Sequence, residues 1–435
     1  MIMGIALLLR VLLPFVSIIT VRDQGVFLFP DSRGYLQPAE ELLRTGRFAI
    51  DGRPEIMRTP GYPILLLPGI LLGKPVLVTI ALQVLLSLLT VWLVYGLTLR
   101  IFENETAAAA AALLYALEPL SILYTALILT ETLFAALITA FFFCLVDYYK
   151  RRQALGTLVL AALALLASVY VRPVSYYLPI LVSLVLLPAL LVRFKKIRYV
   201  LHAVIFLAIS MGLVAAWQVR NRIETGYRGF SAISDLNLYL YQGASAQAKA
   251  EGLPFRDVQQ RLRTFEGHPE HISWTEAQRY AFMRREGVRM ILGHKLAYAR
   301  IHLGGMVRIL FDPGSVDYLK VFLSYPRLGG TLANIADRGL MPVVLGLIRG
   351  NPLVFWTQLA LFALLAAYYV LALWGLFRRS LAGVWEKIAL VAVITYFVAV
   401  SGGPHGYSRF RHPAMPFLCV LAGFGLYSLA VRRQQ

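Results

Sequence analysis

The spacing of apolar windows constrains this chain more than any other feature of its sequence. Mostly apolar stretches lie near 3–20, 75–99, 106–125, 127–149, 154–171, 175–192, 198–217, 353–377, 385–401 and 412–431. A hydrocarbon layer about 30 Å thick is crossed by about 20 residues of helix. A backbone in lipid must satisfy its own hydrogen bonds, and within one segment only a helix does so. The windows therefore predict an all-α polytopic membrane protein with about ten transmembrane helices. Composition agrees, since 59% of the 435 residues are hydrophobic and 15% are charged, against about 25% charged in soluble domains.

The charge balance narrows the partners. Lys and Arg total 42 against 23 acids, a net charge of +19. No zinc-finger or RNA-binding motif accompanies that surplus, so it points to anionic headgroups and phosphate-bearing lipids rather than nucleic acid. Lys150-Arg151-Arg152, Arg193 with Lys195, Lys196 and Arg198, Arg378-Arg379 and Arg432-Arg433 share one side when the spans alternate. The positive-inside rule makes that side cytoplasmic, with both termini on it. The chain then divides into an N-terminal transmembrane module, 1–217, with an outer loop at 21–61; an outer segment, 218–352; and C-terminal spans, 353–435. Residues 1–20 lack a basic n-region and a small-residue cleavage site, and so are expected to stay as a first span. Cys144 and Cys419 both fall inside spans, which argues against a disulfide framework.

Part of the outer segment reads as an amphipathic helix. From Ser273 to Phe311, Phe282, Val288, Met290, Ile291, Leu296 and Tyr298 alternate with Arg284, Arg285, Arg289 and Arg300, with Ser273 or Thr275 as N-cap. Basic amphipathic helices lie along membrane surfaces. Leu36 to Arg47 in the first loop has the same character, so extracytoplasmic interfacial helices are expected around an outer-leaflet site.

Candidate chemistry gathers at the same outer ends. Asp31, between Pro30 and Ser32, stands just past the first span. It is either the N-cap of the following helix or a general base for an attacking hydroxyl or amine. In Arg58-Thr59-Pro60-Gly61-Tyr62-Pro63 the prolines restrict the backbone and hold Arg58 and Tyr62 in a fixed relation. Arg58 there is a candidate phosphate clamp or a snorkelling interfacial cation. Glu118 before Pro119, and Glu131 after Thr130, sit near the outer end of one helical hairpin, where an acid faces a cavity or a partner. Arg172 and Arg220 end spans on the outer side. His405, Tyr407, Arg409, Arg411 and His412 fall within nine residues and offer many donors to phosphate oxygens. His268-Pro269-Glu270-His271 lacks workable metal spacing, and no Walker A loop, nucleophile elbow or dinucleotide fingerprint occurs.

The order of these pieces resembles one family. Asp31-Ser32, Arg58 to Pro63, Glu118-Pro119, Leu129 to Phe134, Trp217 to Asn221 and Ser408 to Pro416 are similar to motifs of bacterial members of the dolichyl-phosphate-mannose protein mannosyltransferase superfamily. Its fold is called GT-C, and its relatives include the transferases that attach aminoarabinose to lipid A. The resemblance implies a GT-C glycosyltransferase of the bacterial inner membrane. It would move a sugar from a polyprenyl-phosphate donor to a lipid, glycan or protein acceptor at the extracytoplasmic face. It also implies that Asp31 is the base or lies close to it. Arg58, Arg172 and Arg409 are then expected on the donor phosphate, with Tyr62 and Tyr407 donating hydrogen bonds and Asp31 on the opposite side. Glu118, Glu131, Arg220, His405 and Arg411 would support them. Family members often carry an acidic pair where this chain has Asp31-Ser32. No cofactor is required on charge grounds; a divalent ion is compatible with the acids but not expected. The competing readings are a transporter or flippase of lipid-linked sugars, and an O-antigen ligase or polymerase using a diphosphate lipid.

Overall fold

The structure, a computed structural model, describes residues 1–151, 153–266, 271, 273–322, 340–350, 352–378 and 384–432. Arg152, Arg379, Arg433 and the 268–270 part of the histidine cluster lie outside the described residues.

The chain opens with α1 (Ile2–Val21), whose exposed Leu7, Leu8, Val11, Leu12 and Phe15 form a lipid-facing surface. After α2 (Arg33–Thr45), Ala49–Ile50 and Arg53–Pro54 pair as a two-stranded hairpin. Asp51 and Gly52 turn it, both at positive φ, as a two-residue hairpin loop requires. Then come α3 (Gly61–Leu71) and α4 (Pro75–Phe102), which starts on the proline and ends at a left-handed Glu103. Asn104 caps α5 (Glu105–Leu117) by accepting from Ala107 N–H at 2.8 Å. Pro119 cannot continue that helix, so the chain bends by 50° into α6 (Pro119–Ala126). α7 (Glu131–Lys150), α8 (Leu155–Val171), α9 (Leu178–Phe194) and α10 (Arg198–Thr225) follow.

Every apolar window expected from the sequence is helical, but the helices are not equal. Among the described residues, seven are long and apolar enough to cross a bilayer alone, or eight if α5 and α6 count as one broken span. The windows at 154–171 and 385–401 form shorter helices of 17 residues each.

The segment after α10 contains α11 (Ile233–Asn237), a π-helical turn (Leu238–Gly243), α12 (Ala244–Glu251) and α13 (Phe255–Glu266). The expected long amphipathic helix breaks at His294 into α14 (Glu276–Gly293) and α15 (Lys295–Phe311). Thr275 is the N-cap of α14, completed by Gln278 as a capping box. Ile56 of the first loop joins Tyr227, Tyr239, Leu240, Tyr280 and Met283 in a small separate core. Arg284 grips Asp235 with two bonds of 2.8 Å beneath it. The segment after α10 is therefore docked on the first loop.

The chain closes with α16 (Ser315–Lys320), α17 (Leu340–Gly350), α18 (Pro352–Phe377), α19 (Val384–Val400), a 3-10 turn (Ser408–Ala414) and α20 (Met415–Arg432). α20 sits at the centre of the bundle, between α18 and α5. A Cβ on Gly423 would lie 2.4 Å from the Ala111 backbone, and one on Gly425 would lie 2.0 Å from Leu371 O. Small residues thus let three backbones meet where lipid offers no hydrophobic drive between helices.

Candidate active site at one end of the bundle

Asp31 is held in a turn just before α2. Ser32 donates to Ile128 O at 2.8 Å and accepts from Phe29 N–H at 2.9 Å, which ties the turn to the α6–α7 connection. Ser32 occupies the N-cap position, and Asp31 makes no cap bond. Both Asp31 oxygens instead meet arginines, Oδ1 with Arg58 Nη2 at 2.9 Å and Oδ2 with Arg409 Nη1 at 2.6 Å. The capping alternative is thereby set aside.

Arg58 is placed by its own backbone and by a glycine. Glu55 accepts from Met57 N–H and, at 2.7 Å, from Arg58 N–H. Gly61 packs so closely on the end of α8 that a Cβ would lie 2.7 Å from the Tyr170 backbone. That contact sets the arginine segment beside Arg172. The Arg58 guanidinium also reaches Tyr35 OH at 3.3 Å and stands 4.8 Å from the Tyr35 ring centre. A Cβ on Gly34 would meet Arg58 Nε at 3.3 Å, so the glycine leaves room for the guanidinium.

Arg409 continues the chain of charges. It bonds Asp31 through Nη1 and Glu131 through Nε. The same Glu131 oxygen accepts from Arg172 Nη1 at 3.0 Å. Arg172 lies between the rings of Phe134 and Phe410, at 5.6 and 5.5 Å. The result is an alternating ladder, Arg58–Asp31–Arg409–Glu131–Arg172, drawn from five separate stretches of sequence. Glu131 is wholly buried and fixed by two cations, whereas the Asp31 side chain keeps 36% of its surface exposed. Burial alone would raise the Asp31 carboxyl, but Arg409 and Arg58 outweigh it and hold the group down at about 2. Burial likewise opposes the Arg58 charge, and Tyr35 with Asp31 overcomes it, so that guanidinium is held above its ordinary value.

Other expected residues stand elsewhere. Tyr62 is fully buried beneath Tyr35, edge-on at 5.2 Å, and donates to Gln83 at 3.1 Å. Its phenol is engaged by a buried amide, whereas it is the Tyr35 phenol that meets the Arg58 guanidinium. Glu118 accepts from Ser121 N–H at 2.6 Å at the bend between α5 and α6. Arg411 is spent on the carbonyls of Ile309 and Asp312 at the end of α15, at 2.6 and 2.7 Å. Arg220 donates to Phe48 O and Glu55 O, both at 2.8 Å, and so pins the hairpin beside Arg58. His405 pairs with the half-exposed Tyr407 at 2.9 Å, two residues from Arg409 but outside the ladder. The expected opposition of acid and cations is also replaced: Asp31 lies among the arginines.

Two groups escaped the sequence reading. Tyr35 is one helical turn beyond Asp31, a spacing that places both on one face of the chain entering α2. Asp317 is buried against Tyr124 OH at 3.3 Å and Lys320 at 3.6 Å, and burial pushes its carboxyl up. No motif marked it. Among the described residues, no group of three or more His, Cys, Asp or Glu side chains could hold a metal ion.

No family model and no curated protein sequence matches the chain. Solved structures do. The apo oligosaccharyltransferase of Archaeoglobus fulgidus superposes with a TM-score of 0.52 at 13% identity, over 99% of this chain and 50% of that one. The archaeal enzyme AglB from the same organism, with an inhibitory peptide and a dolichol-phosphate, gives 0.49 at 12%, over 98% and 50%. ArnT from Cupriavidus metallidurans, bound to undecaprenyl phosphate, gives 0.39 at 15%, over 98% and 77%. The chain thus spans about half the length of the archaeal enzyme. At such identity the first match speaks to architecture alone, and that architecture is the one implied by the sequence resemblance. This chain is a polytopic membrane protein with the GT-C fold.

Proposed function

We propose that the chain is an integral membrane glycosyltransferase that moves a sugar from a polyprenyl-phosphate donor to an envelope acceptor. The observation that carries this reading is the ladder itself. Three guanidiniums and a partly exposed acid converge from distant segments at one end of the bundle. The fold shared with an oligosaccharyltransferase supports the class of reaction. α7 starts at Glu131 in the ladder and ends at Lys150, roughly 28 Å away at 1.5 Å per residue. Lys150 caps the end of α4 there, donating to Arg100 O at 2.9 Å. Basic groups at that end support a cytoplasmic assignment, which puts the ladder outside. In a bacterial cell the membrane would be the inner one.

In the proposed reaction a lone pair on the acceptor oxygen or nitrogen forms a bond to the anomeric carbon. The bond from that carbon to the phosphate oxygen breaks, and its electron pair leaves with the polyprenyl phosphate. The acceptor proton passes to Asp31. A single displacement of this kind inverts the anomeric centre. Charge on the phosphate grows from one negative to two during the step, and fixed guanidiniums stabilise that growth without reorganising. With Asp31 engaged by the acceptor, three cations face Glu131 alone, a surplus matched to a monophosphate. A diphosphate donor would bring more charge than this site balances.

A transporter would line a route through the membrane midplane with polar groups. Arg10 lies within α1, but it is consumed by Ser87 at 2.6 Å and Ala116 O at 2.8 Å. The test is transfer itself. Purified protein in liposomes, given polyprenyl-phosphate sugars and envelope extracts, should form glycosylated product, and Asp31→Asn should not. Full activity in Asp31→Asn would remove the base assignment. Translocation without product would favour the flippase.

A further inference from the structure

We infer that in the ligand-free protein the Asp31 carboxylate occupies the donor-phosphate subsite, and that the arriving phosphate displaces it and thereby frees the base. This deepens the glycosyltransferase reading and rests on it.

The geometry carries the argument. The two N–H groups that Asp31 takes, Arg58 Nη2 and Arg409 Nη1, belong to two of the three arginines proposed to bind phosphate. Their remaining polar contacts point elsewhere, Arg58 Nη1 to Tyr35 and Arg409 Nε to Glu131. A carboxylate and a phosphate share the same demand for planar, forked donors, so one anion stands where the other would bind.

The two acids of the ladder differ in whether they can leave. Glu131 has no exposed surface and bonds two cations through one oxygen, so it stays as the brace that holds Arg172 and Arg409. Asp31 is over a third exposed, and its release requires only side-chain rotation. Its backbone does not need to move, because Ser32 is tied to Ile128 and Phe29.

The consequence is chemical. A carboxyl held at about 2 is a weak proton acceptor, and general-base efficiency is greatest when the acid dissociates near the working pH. Once the guanidiniums turn to phosphate, the cationic hold on Asp31 weakens and its basicity rises. The base is then available when the leaving group is in place, and water meets a masked carboxylate otherwise.

The test is binding by the full chain in nanodiscs, with two probes: farnesyl monophosphate, a short polyprenyl phosphate, and inorganic phosphate. Asp31→Asn removes the internal competitor but keeps the shape, and should bind farnesyl monophosphate about tenfold more tightly than the wild type. Asp31→Glu keeps the negative charge and should stay near the wild type. Arg58→Ala and Arg409→Ala should both weaken binding. A parallel gain for inorganic phosphate would show that the subsite recognises the phosphate alone; a gain confined to the farnesyl probe would show that it also needs the lipid chain. Equal or weaker binding by Asp31→Asn, with the arginine variants still impaired, would overturn displacement while leaving the phosphate reading intact. Binding that is absent throughout, or indifferent to both arginines, would remove the phosphate reading and this inference with it.

Discussion

At the scale of single residues, the site depends on small differences in where a side chain can go. Gly34 sits in α2, and a Cβ there would press on Arg58 Nε at 3.3 Å. Alanine favours a helix over glycine by about 0.5–1 kcal/mol. Gly34→Ala is therefore expected to unfold no earlier than the wild type while raising the donor KM by up to about tenfold; thermal melts beside transfer kinetics check both halves. Glu131 presents the reverse case, a wholly buried acid between two cations. Removing one partner of such a cluster costs about 3–5 kcal/mol. Glu131→Ala should be markedly destabilised and Glu131→Gln less so, because its amide oxygen still accepts, as denaturant titration would show. Asp31 supplies a pH signature. Its folded value of about 2 lies below the unfolded value, which is about 3.9. The stabilisation is thus fully present above about pH 4 and is lost as pH falls through about 2. Solvent screening keeps it modest. Melting temperatures of wild type and Asp31→Asn should converge over that window.

At the scale of elements, glycines decide how the site-bearing segments approach. α15 meets the loop before the 3-10 turn through Gly305: a Cβ there would fall 2.1 Å from Gly403 O, a backbone atom that cannot swing aside. A Cβ on Gly406 would likewise lie 2.3 Å from Gly305 O. The loop leads into Arg409 of the 3-10 turn, three residues beyond Gly406, so the packing of α15 sets the height of the ladder. Gly305→Ala is expected to cost about 1–3 kcal/mol from overpacking and to lower kcat along with stability. A variant whose melting point and transfer rate both match the wild type would refute this linkage. The broken span has a similar logic. The bend at Pro119 exposes carbonyls at the end of α5, and Arg10 reaches across from α1 to Ala116 O at 2.8 Å and Tyr115 O at 3.3 Å. An arginine buried in the membrane is thereby explained as a cap rather than as part of a transport path.

At the scale of the whole molecule, the ladder and the basic end lie at opposite ends of α7, and that separation defines the orientation to test. In a background without Cys144 and Cys419, single cysteines placed at the exposed positions Thr45 and Lys195 report the two faces. Thr45→Cys should react with an impermeant maleimide in intact cells, and Lys195→Cys only after permeabilisation; the opposite pattern would invert the proposed topology. Helical spans, their order and the basic turns between them were legible along the chain, because each residue's transfer into lipid contributes locally and an 18-residue window sums it. One cap was half legible for the same reason: Thr275, one of two N-cap candidates, completes its bonds with Gln278 three residues on, without help from the rest of the fold, whereas the Asp31 cap does not form. The ladder was legible only as a set of candidates. Asp31 and Arg409 are separated by 378 positions, and their contact exists because α20, α7 and the first loop are brought together by packing. Tyr35 and Tyr62 are both tyrosines near the same arginine, and no local rule says which one lies underneath. Burial in lipid is additive and can be read residue by residue, whereas the meeting of two charges depends on helix crossings set jointly by glycines, bends and buried caps along the whole chain.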